Sequence, residues 1–599
     1  MLHFFLQAFV VSPVEVHCIP MMNRNGSQYS LDSEARSFRT NRWQGTGASG
    51  TDSSLLSPAD STEEFRVKAA DKKRTHSMNS PLNSSYSESH IQSRYERSES
   101  DKNLGITRDT LPAITSDVAS CVSSISFASL TLSVGSDVST KPTASDTAPS
   151  SSKASSKLES ILVNLSQKLV NSRESSDDKL LYAKGELSRR VLSDPSEPAH
   201  NDGYDNALYN LILRVDDTLR SEDGSSHSYR VLDMLGQGTF GQVVKCEDYK
   251  TGRLVAVKVI KNKPAYTNQA LLEIKLLKLL NEKHDPQDKS RILRLTDHFK
   301  YRNHTCLVFE LLGVNLYDLL KQNKFRGVSL QLIRSTGMQL LEAMCVLREA
   351  KVVHCDLKPE NIMLCALNSA EIKVIDFGSA CLESQPMYAY IQSRFYRAPE
   401  VLLGAGYDCA IDMWSVGCIL AELYLGLPIF PGASQYTQVA RLVAALGMPP
   451  DSLLRRSTNA HVYFAPRAND HPPADADGGE SSYLLKSAEV WSRENNQTVP
   501  SLRQYVKGWL LADMINLYPL HCEENGDKKP SKEEKDHELH LRSKFLHLLQ
   551  GLLRWKPHER LSPWVALQHP FFTRGSLSDF DPEALHREEK QHKREKERA

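Results

Sequence analysis

The chain has no uninterrupted apolar run near the roughly 18–20 residues that a membrane-spanning helix needs. It also lacks net charge. Lys and Arg together number 73, as do Asp and Glu, so neither nucleic acid nor an acidic membrane surface is indicated as a direct partner. Its eleven cysteines, from Cys18 to Cys522, include no Cys-x-x-Cys pair and no disulfide-scaffold spacing. That argues against a structural zinc site and for a reducing compartment. Aromatic residues are scarce in the first quarter, where Ser, Thr, Asn and Asp dominate.

That composition sets the expectation for the amino-terminal region. Residues 23 to about 156 cannot bury enough apolar surface to offset their conformational entropy, so they are expected to be disordered. Val118 to Val134 alternates roughly between apolar residues and Ser, which suits a solvated linker better than a docking strand. Leu2 to Val11 has the length of a signal-peptide core but no preceding Lys or Arg. A short apolar motif, or a start at Met21 or Met22, is the favoured reading. Ser57-Pro58 and Ser80-Pro81 suit proline-directed kinases as phosphoacceptors, and Ser193, after Arg189 and Arg190, a basic-directed one. Leu158, Ile161, Leu162, Leu165 and Leu169 fall on one face of a helix over about 157–171.

From Tyr229 the pattern becomes that of a folded domain. Val231–Leu235, Gly241–Glu247 and Leu254–Ile260 are short β-branched runs separated by turn signals, and Ala270–Leu280 has helical period. Beyond Phe309 the character is mainly helical, as in Leu330–Leu347 and Ile411–Leu425. The arrangement is α+β: a small β-rich part followed by a larger helical one.

Leu235-Gly236-Gln237-Gly238-Thr239-Phe240-Gly241-Gln242-Val243 is a Gly-x-Gly-x-x-Gly, in which glycines let backbone N–H groups approach phosphate oxygens. Alone it suits a Rossmann site equally well. A strand follows it rather than a helix, however, and 14 residues past Gly241 begins Val255-Ala256-Val257-Lys258. A lysine on an apolar strand is costly to bury unless paired, and Glu273, on the following helix, is the candidate partner. His354-Cys355-Asp356-Leu357-Lys358-Pro359-Glu360-Asn361 and Asp376-Phe377-Gly378 add a candidate base, a lysine to neutralise the transferring phosphoryl group, and two oxygen ligands for magnesium. Each residue alone could be an ordinary turn residue. The full set at these spacings points to phosphoryl transfer from a metal-bound nucleotide.

The stretch from Gly236 to Arg560 resembles the eukaryotic protein kinase catalytic domain, over about residues 229–573. The glycine loop, His354-Cys355-Asp356 and Tyr388-Ala389-Tyr390-Ile391-Gln392-Ser393-Arg394-Phe395-Tyr396-Arg397-Ala398-Pro399-Glu400 look like the dual-specificity tyrosine-regulated (DYRK) kinases. Ser481–Asn495 and Leu511–Pro519 resemble the insert of their Yak branch. The resemblance implies a bilobal fold with ATP and Mg2+ in the cleft. Lys258, through Glu273, would hold the α and β phosphates; Asp356 would be the base; Asn361 and Asp376 would hold magnesium. Phe309 would stand beside the adenine, Glu310 and Leu312 would offer it backbone hydrogen bonds, and Val243, Ala256 and Met363 would sandwich it. Glu400 would bridge to Arg560, and Asp412 would anchor the catalytic loop.

Cys355 stands where many loop-phosphorylated kinases carry Arg. A phosphate on Tyr390 must therefore find Arg394 and Arg397 instead, and the resemblance implies that the enzyme places that phosphate itself. Expected substrates are Ser or Thr of proteins, followed by Pro, with Arg a few residues before. The expected organisation is a largely disordered 1–200, a pre-kinase segment 201–228, the catalytic domain 229–573 and a charged, solvated helical tail 574–599. A cytoplasmic and/or nuclear monomer is expected, with unidentified partners for the arm. Two rivals are weaker: a catalytically dead scaffold, since no catalytic position is missing, and a Rossmann enzyme, which fails at the strand after the glycines.

Overall fold

The computed structural model describes residues 189–224, 227–366, 369–386, 388–467, 481–522 and 530–598. The expectations for the apolar amino terminus, for the Ser-rich arm before residue 189, for the 157–171 helix and for the Pro/Asp/Gly-rich loop at 469–479 lie outside the described residues.

Six antiparallel strands form the small lobe: β1 (Thr218–Arg220), β2 (Ser228–Gln237), β3 (Gly241–Asp248), β4 (Leu254–Ile260), β5 (Leu295–Tyr301) and β6 (His304–Glu310). Their order is β1-β2-β3-β4-β6-β5. Strand alternation gives the sheet two different faces. Val244, Cys246, Val257, Val259, Cys306 and Val308 point to one side, where Leu211, Leu213 and Leu219 cover them. By the same alternation and the register of β3, β4 and β6, Val243, Ala256, Lys258, Leu307 and Phe309 share the other face, which looks into the cleft.

The cover of that outer face departs from the expected division. Residues 189–220 were read as the end of a disordered arm and a separate lead-in, but they are part of the small lobe. Val191 bridges Arg214, and β1 extends the sheet. Asp205 is fully buried. It accepts hydrogen bonds from Asn201 and Asn262 (3.0 Å each) and meets His304 Nε2 at 2.8 Å, while His304 Nδ1 reaches the Ile260 carbonyl at 2.7 Å. The strap also reaches the glycine loop: the Gln237 amide donates to the Asp194 carbonyl (2.6 Å) and the Gln242 amide to that of Leu211 (2.8 Å). Ser193 is no accessible phosphoacceptor. It is buried, its hydroxyl donating to the Leu211 carbonyl (2.8 Å) and accepting from Leu213 N–H (2.9 Å). The polar side chains that made this stretch look solvated are satisfied locally, and they free a few leucines to cover the sheet.

Helix α1 (Pro264–Lys278), opened by Pro at its first turn, where a missing N–H costs nothing, lies across the sheet and brings Glu273 inward. The large lobe is built on α2 (Leu330–Glu349), α3 (Ala410–Leu425) and α4 (Lys532–Leu552). Every α3 residue from Ile411 to Leu425 is buried, the pattern of a helix enclosed on all sides. It stops at Gly426 (φ 75°), whose N–H bonds the Glu422 carbonyl at 2.7 Å; a Cβ there would strike the Phe325 carbonyl. The expected charged excursion from His521 to Lys535 is shorter than that. His521 is buried, and Ser531 and Glu534 form a capping box that starts α4 at Lys532. The tail forms α5 (Pro582–Arg598), and one face of it docks: Glu589 accepts from the Ser562 hydroxyl (2.8 Å) and pairs with Arg348 (3.3 Å).

Between the lobes run four short strands: β7 (Val352–Val353) paired with β10 (Cys381–Leu382), and β8 (Ile362–Leu364) paired with β9 (Ile372–Val374). They fix the loops holding Asp356, Asn361 and Asp376.

Candidate active site

The roof is the β2–β3 hairpin. Gly236 pairs with Val243 and Gln237 with Gln242, leaving residues 238–240 as its tip, closed by a Gly238 N–H bond to the Gly241 carbonyl (2.8 Å). Gly241 is required by crowding, since a Cβ there would lie 2.1 Å from the Val259 carbonyl oxygen. Leu235 and Thr239 belong to the same hairpin, and the Phe240 carbonyl accepts from Lys261 N–H at 3.0 Å.

Below it, Lys258 donates to both Glu273 oxygens (3.0 Å each) and to Asp376 Oδ1 (2.9 Å). The three residues, from β4, α1 and the turn after β9, close a triangle in which Glu273 is buried and Asp376 stays partly open to the cleft. Burial alone raises a carboxyl, yet the Lys258 charge and hydrogen bond hold Asp376 down at about 2. Glu273 goes the other way, because burial outweighs its share of the same ammonium. Lys258 itself is held above its ordinary range: burial lowers it, and the two carboxylates more than reverse that. A Cβ on Gly378 would press within 3.2–3.6 Å on all three members.

The catalytic loop is anchored from behind. Both Asp412 oxygens take backbone N–H groups, from His354 (2.7 Å) and Cys355 (3.1 Å). Cys355 (φ 66°) and Asp376 (φ 62°) both adopt left-handed backbone, a conformation costing about 1–3 kcal/mol for a residue such as Cys. For Cys355 those two bonds and the bond from Gln392 N–H to its carbonyl (2.9 Å) hold it there. Burial in the enclosed site pushes Asp412 up to about 6 despite its donors.

Asp356 meets Lys358 Nζ at 2.6 Å and receives both the N–H (3.0 Å) and the hydroxyl (2.7 Å) of Ser393. The Asn361 amide nitrogen donates to the Asp356 carbonyl (2.8 Å), a bond that leaves its side-chain oxygen unused. Two oxygen donors fit magnesium, which keeps waters and phosphate oxygens in its shell; no cluster of three or more His, Cys, Asp or Glu able to enclose a metal occurs among the described residues.

Where adenine is expected, Phe309 is buried and pairs with Ala256 across the strands, while Met363 pairs with Lys373 on β9. Glu310 and Leu312 begin the connection to the large lobe, where Gly313 N–H bonds the Leu364 carbonyl (2.8 Å).

Tyr390 is 62% exposed, with the Arg397 guanidinium 4.0 Å above its ring. Partial burial raises its phenol, but the charges of Arg397 and then Arg394 bring it below the ordinary range. Arg394 Nε and Arg397 Nη1 are buried without a hydrogen-bond partner, while Arg397 Nε and Nη2 bond the carbonyls of Ile391 (2.8 Å) and Gln392 (2.7 Å) and Arg394 Nη1 bonds that of Ala433. Cys355 is buried, away from any phosphate role.

The structure therefore brings Lys258, Glu273, Asp356, Lys358, Asn361 and Asp376 into one cleft, and Tyr390, Arg394 and Arg397 beside it. Sequence reasoning missed Ser393, quoted only as part of a motif, and Lys373. The only available signal for Ser393 was its place before Arg394.

Residues 229–572 match the protein kinase domain model. The serine/threonine-protein kinase ppk15 of Schizosaccharomyces pombe is 46% identical over 413 residues, covering 69% of this chain and 74% of that protein. The dual specificity protein kinase YAK1 of Saccharomyces cerevisiae is 45% identical over 421 residues, 70% of this chain and 51% of that one. The DYRK-family kinase pom1 of S. pombe is 39% identical over 351 residues, 59% of this chain but only 28% of pom1. With a nucleotide roof, a paired lysine and an anchored acidic loop in one cleft, the chain belongs to the protein kinase family. Within that family it belongs to the Yak branch of the DYRK kinases.

Proposed function

We propose that the protein transfers the ATP γ-phosphate to Ser or Thr hydroxyls followed by Pro, and that it phosphorylates its own Tyr390. The observation that carries the transfer is the Asp356 carboxylate, held by Lys358 and Ser393 in the same cleft as the Lys258–Glu273–Asp376 triangle. Asp356 orients the acceptor hydroxyl and takes its proton as the oxygen bonds to the γ-phosphorus. The bond from that phosphorus to the β–γ bridging oxygen breaks, and ADP leaves with the electron pair. Lys358 offsets the charge on the moving phosphoryl group, while Lys258 positions the α and β phosphates. Asn361 and Asp376 would hold Mg2+, which when bound would neutralise charge on the phosphate oxygens.

Proline preference is supported by the activation segment. Gln392 sits in left-handed backbone (φ 63°), and its carbonyl and that of Ile391 are both taken by Arg397. A substrate residue lying there finds no ready acceptor for its N–H, at about 1–3 kcal/mol, and proline has no N–H to satisfy. Self-phosphorylation of Tyr390 is supported by the two unpartnered guanidinium nitrogens beside it.

The test compares the full chain with Asp356→Ala on Ser-Pro and Ser-Ala peptides, with mass spectrometry of Tyr390. Activity that survives in Asp356→Ala would remove the enzyme reading, equal rates on the two peptides the proline preference, and unmodified Tyr390 in active protein the self-phosphorylation.

A further inference from the structure

Lys373 lies on β9, three residues before Asp376, and its side chain is 8% exposed. Its ammonium meets Glu310 Oε1 at 2.6 Å and both oxygens of Asp288 at 2.8 and 2.9 Å. The same Glu310 oxygen accepts the backbone N–H of Arg294 at 2.9 Å. Arg294 in turn pairs with Asp288 (2.8 Å) and Asp285 (2.9 Å) in the loop that follows α1. Three pieces of chain therefore meet at one ammonium, the end of β6, the loop after α1 and the strand leading to Asp376, and the entry to β5 joins them through Glu310 and Asp288.

Lys373 also pairs in register with Met363, the residue read as the floor of the adenine site, and Glu310 opens the segment read as offering adenine its backbone. A nearly buried lysine is retained only with its partners. Burial lowers its basicity, and Asp288 and Glu310 raise it again, above the ordinary lysine range. The carboxylate of Glu310 is thus fixed by two donors, Lys373 and Arg294 N–H, and to swing away it must give up both, leaving Lys373 with Asp288 alone.

We propose that Lys373 is a positioning residue for nucleotide binding: by clamping the Glu310 side chain to β9 it fixes the backbone of residues 310–312 against the adenine ring. This rests on the kinase reading above, but it is measured by binding rather than by transfer. An ion pair that only stabilised the fold would change melting temperature alone. A hinge clamp changes affinity for the adenine part of the ligand, whatever phosphates follow.

The experiment uses the full chain with Lys373→Gln and Lys373→Arg, titrated calorimetrically with adenosine and with ADP, alongside steady-state kinetics. Lys373→Gln is expected to weaken adenosine and ADP by the same factor, about tenfold, and to raise the KM for ATP equally, with kcat and peptide KM changed less than about twofold. Lys373→Arg keeps the charge and should return adenosine affinity to within about threefold of the original. Where Lys373→Gln fails to fold, Glu310→Gln, which leaves the backbone in place, is expected to show the same loss; where both fold, combining them should add nothing further. A folded Lys373→Gln protein that binds adenosine unchanged, whatever its melting temperature, would overturn the proposal. So would a loss confined to ADP, because that locates the effect at the phosphate end. Asp356→Asn, expected to abolish transfer while binding adenosine normally, separates failure of the kinase reading from failure of this one.

Discussion

The hydroxyl of Ser393 donates to Oδ1 of Asp356 at 2.7 Å, and the Ser393 N–H reaches the same oxygen at 3.0 Å. Lys358 holds the other oxygen at 2.6 Å and lies 3.3 Å from Ser393 Oγ. The candidate base is therefore oriented by two segments, its own loop and the activation segment. Ser393→Ala removes one side of that grip, and a small misplacement of a catalytic group costs on the order of tenfold to a hundredfold in kcat. The KM for ATP should stay within about twofold, since the nucleotide contacts lie elsewhere. Ser393→Thr keeps the donor and should keep most of the rate. Peptide kinetics on the three proteins check this, and an undiminished kcat in Ser393→Ala would show that the backbone N–H suffices.

Asp412 links catalysis to pH. Burial raises its carboxyl to about 6 in the fold, against about 3.9 for a free Asp. A carboxyl raised in this way stabilises the folded state fully below about pH 4 and loses that contribution as pH climbs through 6. At neutral pH the ionised form, with both oxygens accepting N–H groups of the catalytic loop, is kept at a cost in stability. Protonation on acidification removes one acceptor and loosens His354 and Cys355. The expected kcat profile therefore falls on the acid side with an apparent midpoint near 6. Asp412→Asn, which offers one acceptor oxygen, should be slower at pH 8 and lack that limb.

Glu273 separates stability from activity. Burial raises its carboxyl, while Lys258 retains a second partner in Asp376 at 2.9 Å. Glu273→Gln removes a buried charge without stranding the lysine, so melting temperature should fall by no more than about 2 °C. The lysine loses its bidentate grip, however, and drifts toward Asp376. Turnover is expected to fall by about tenfold or more, because the phosphates are then held out of line. A large stability loss with normal turnover would reverse this assignment.

The Arg560–Glu400 pair behaves differently, since among the described residues neither side has another ion partner. Its two contacts are 2.8 and 3.0 Å, and both residues are at most 3% exposed. Arg560→Ala leaves a buried carboxylate unpaired, a change worth about 3–5 kcal/mol. Urea unfolding should show a lower midpoint at unchanged slope.

Much of this was legible in the chain because phosphoryl transfer restricts residue types at close spacing. Lys258, Asp356, Asn361 and Asp376 lie in local motifs, and Glu273 follows from the need to pair a lysine on an apolar strand. The missed residues act across long separations. Ser393 meets Asp356 from 37 residues away, and Lys373 meets Glu310 from 63 and Asp288 from 85. The place of Lys373 on the apolar strand Ile372–Val374 asks for a partner, as that of Lys258 did, but nothing local says which residue supplies it. The strap at 189–220 was hidden for another reason: its buried members Ser193, Asp205, Asn206 and Asn210 are polar, and hydropathy reads them as solvated.

Tyr390 and Arg397 supply the last prediction. The ring lies 4.0 Å under a guanidinium that is itself nearly buried, and burial keeps Arg397 less basic than usual. A phosphate on Tyr390 brings about −1.5 to −2 charges and three acceptor oxygens to two cations with unpartnered nitrogens. One to three charge-assisted hydrogen bonds should form, raising the melting temperature of the phosphorylated protein above that of the phosphatase-treated one by about 2–4 °C. The sign with pH follows from pairing. Cations lower the second phosphate pKa in the fold, so the gain is complete above the ordinary value of about 6 and shrinks as pH falls below it. Arg397→Gln removes the larger share of the pairing charge and should abolish most of the difference. A gain that persists undiminished in Arg397→Gln, or that grows on acidification, would mean that the phosphate is held by other groups.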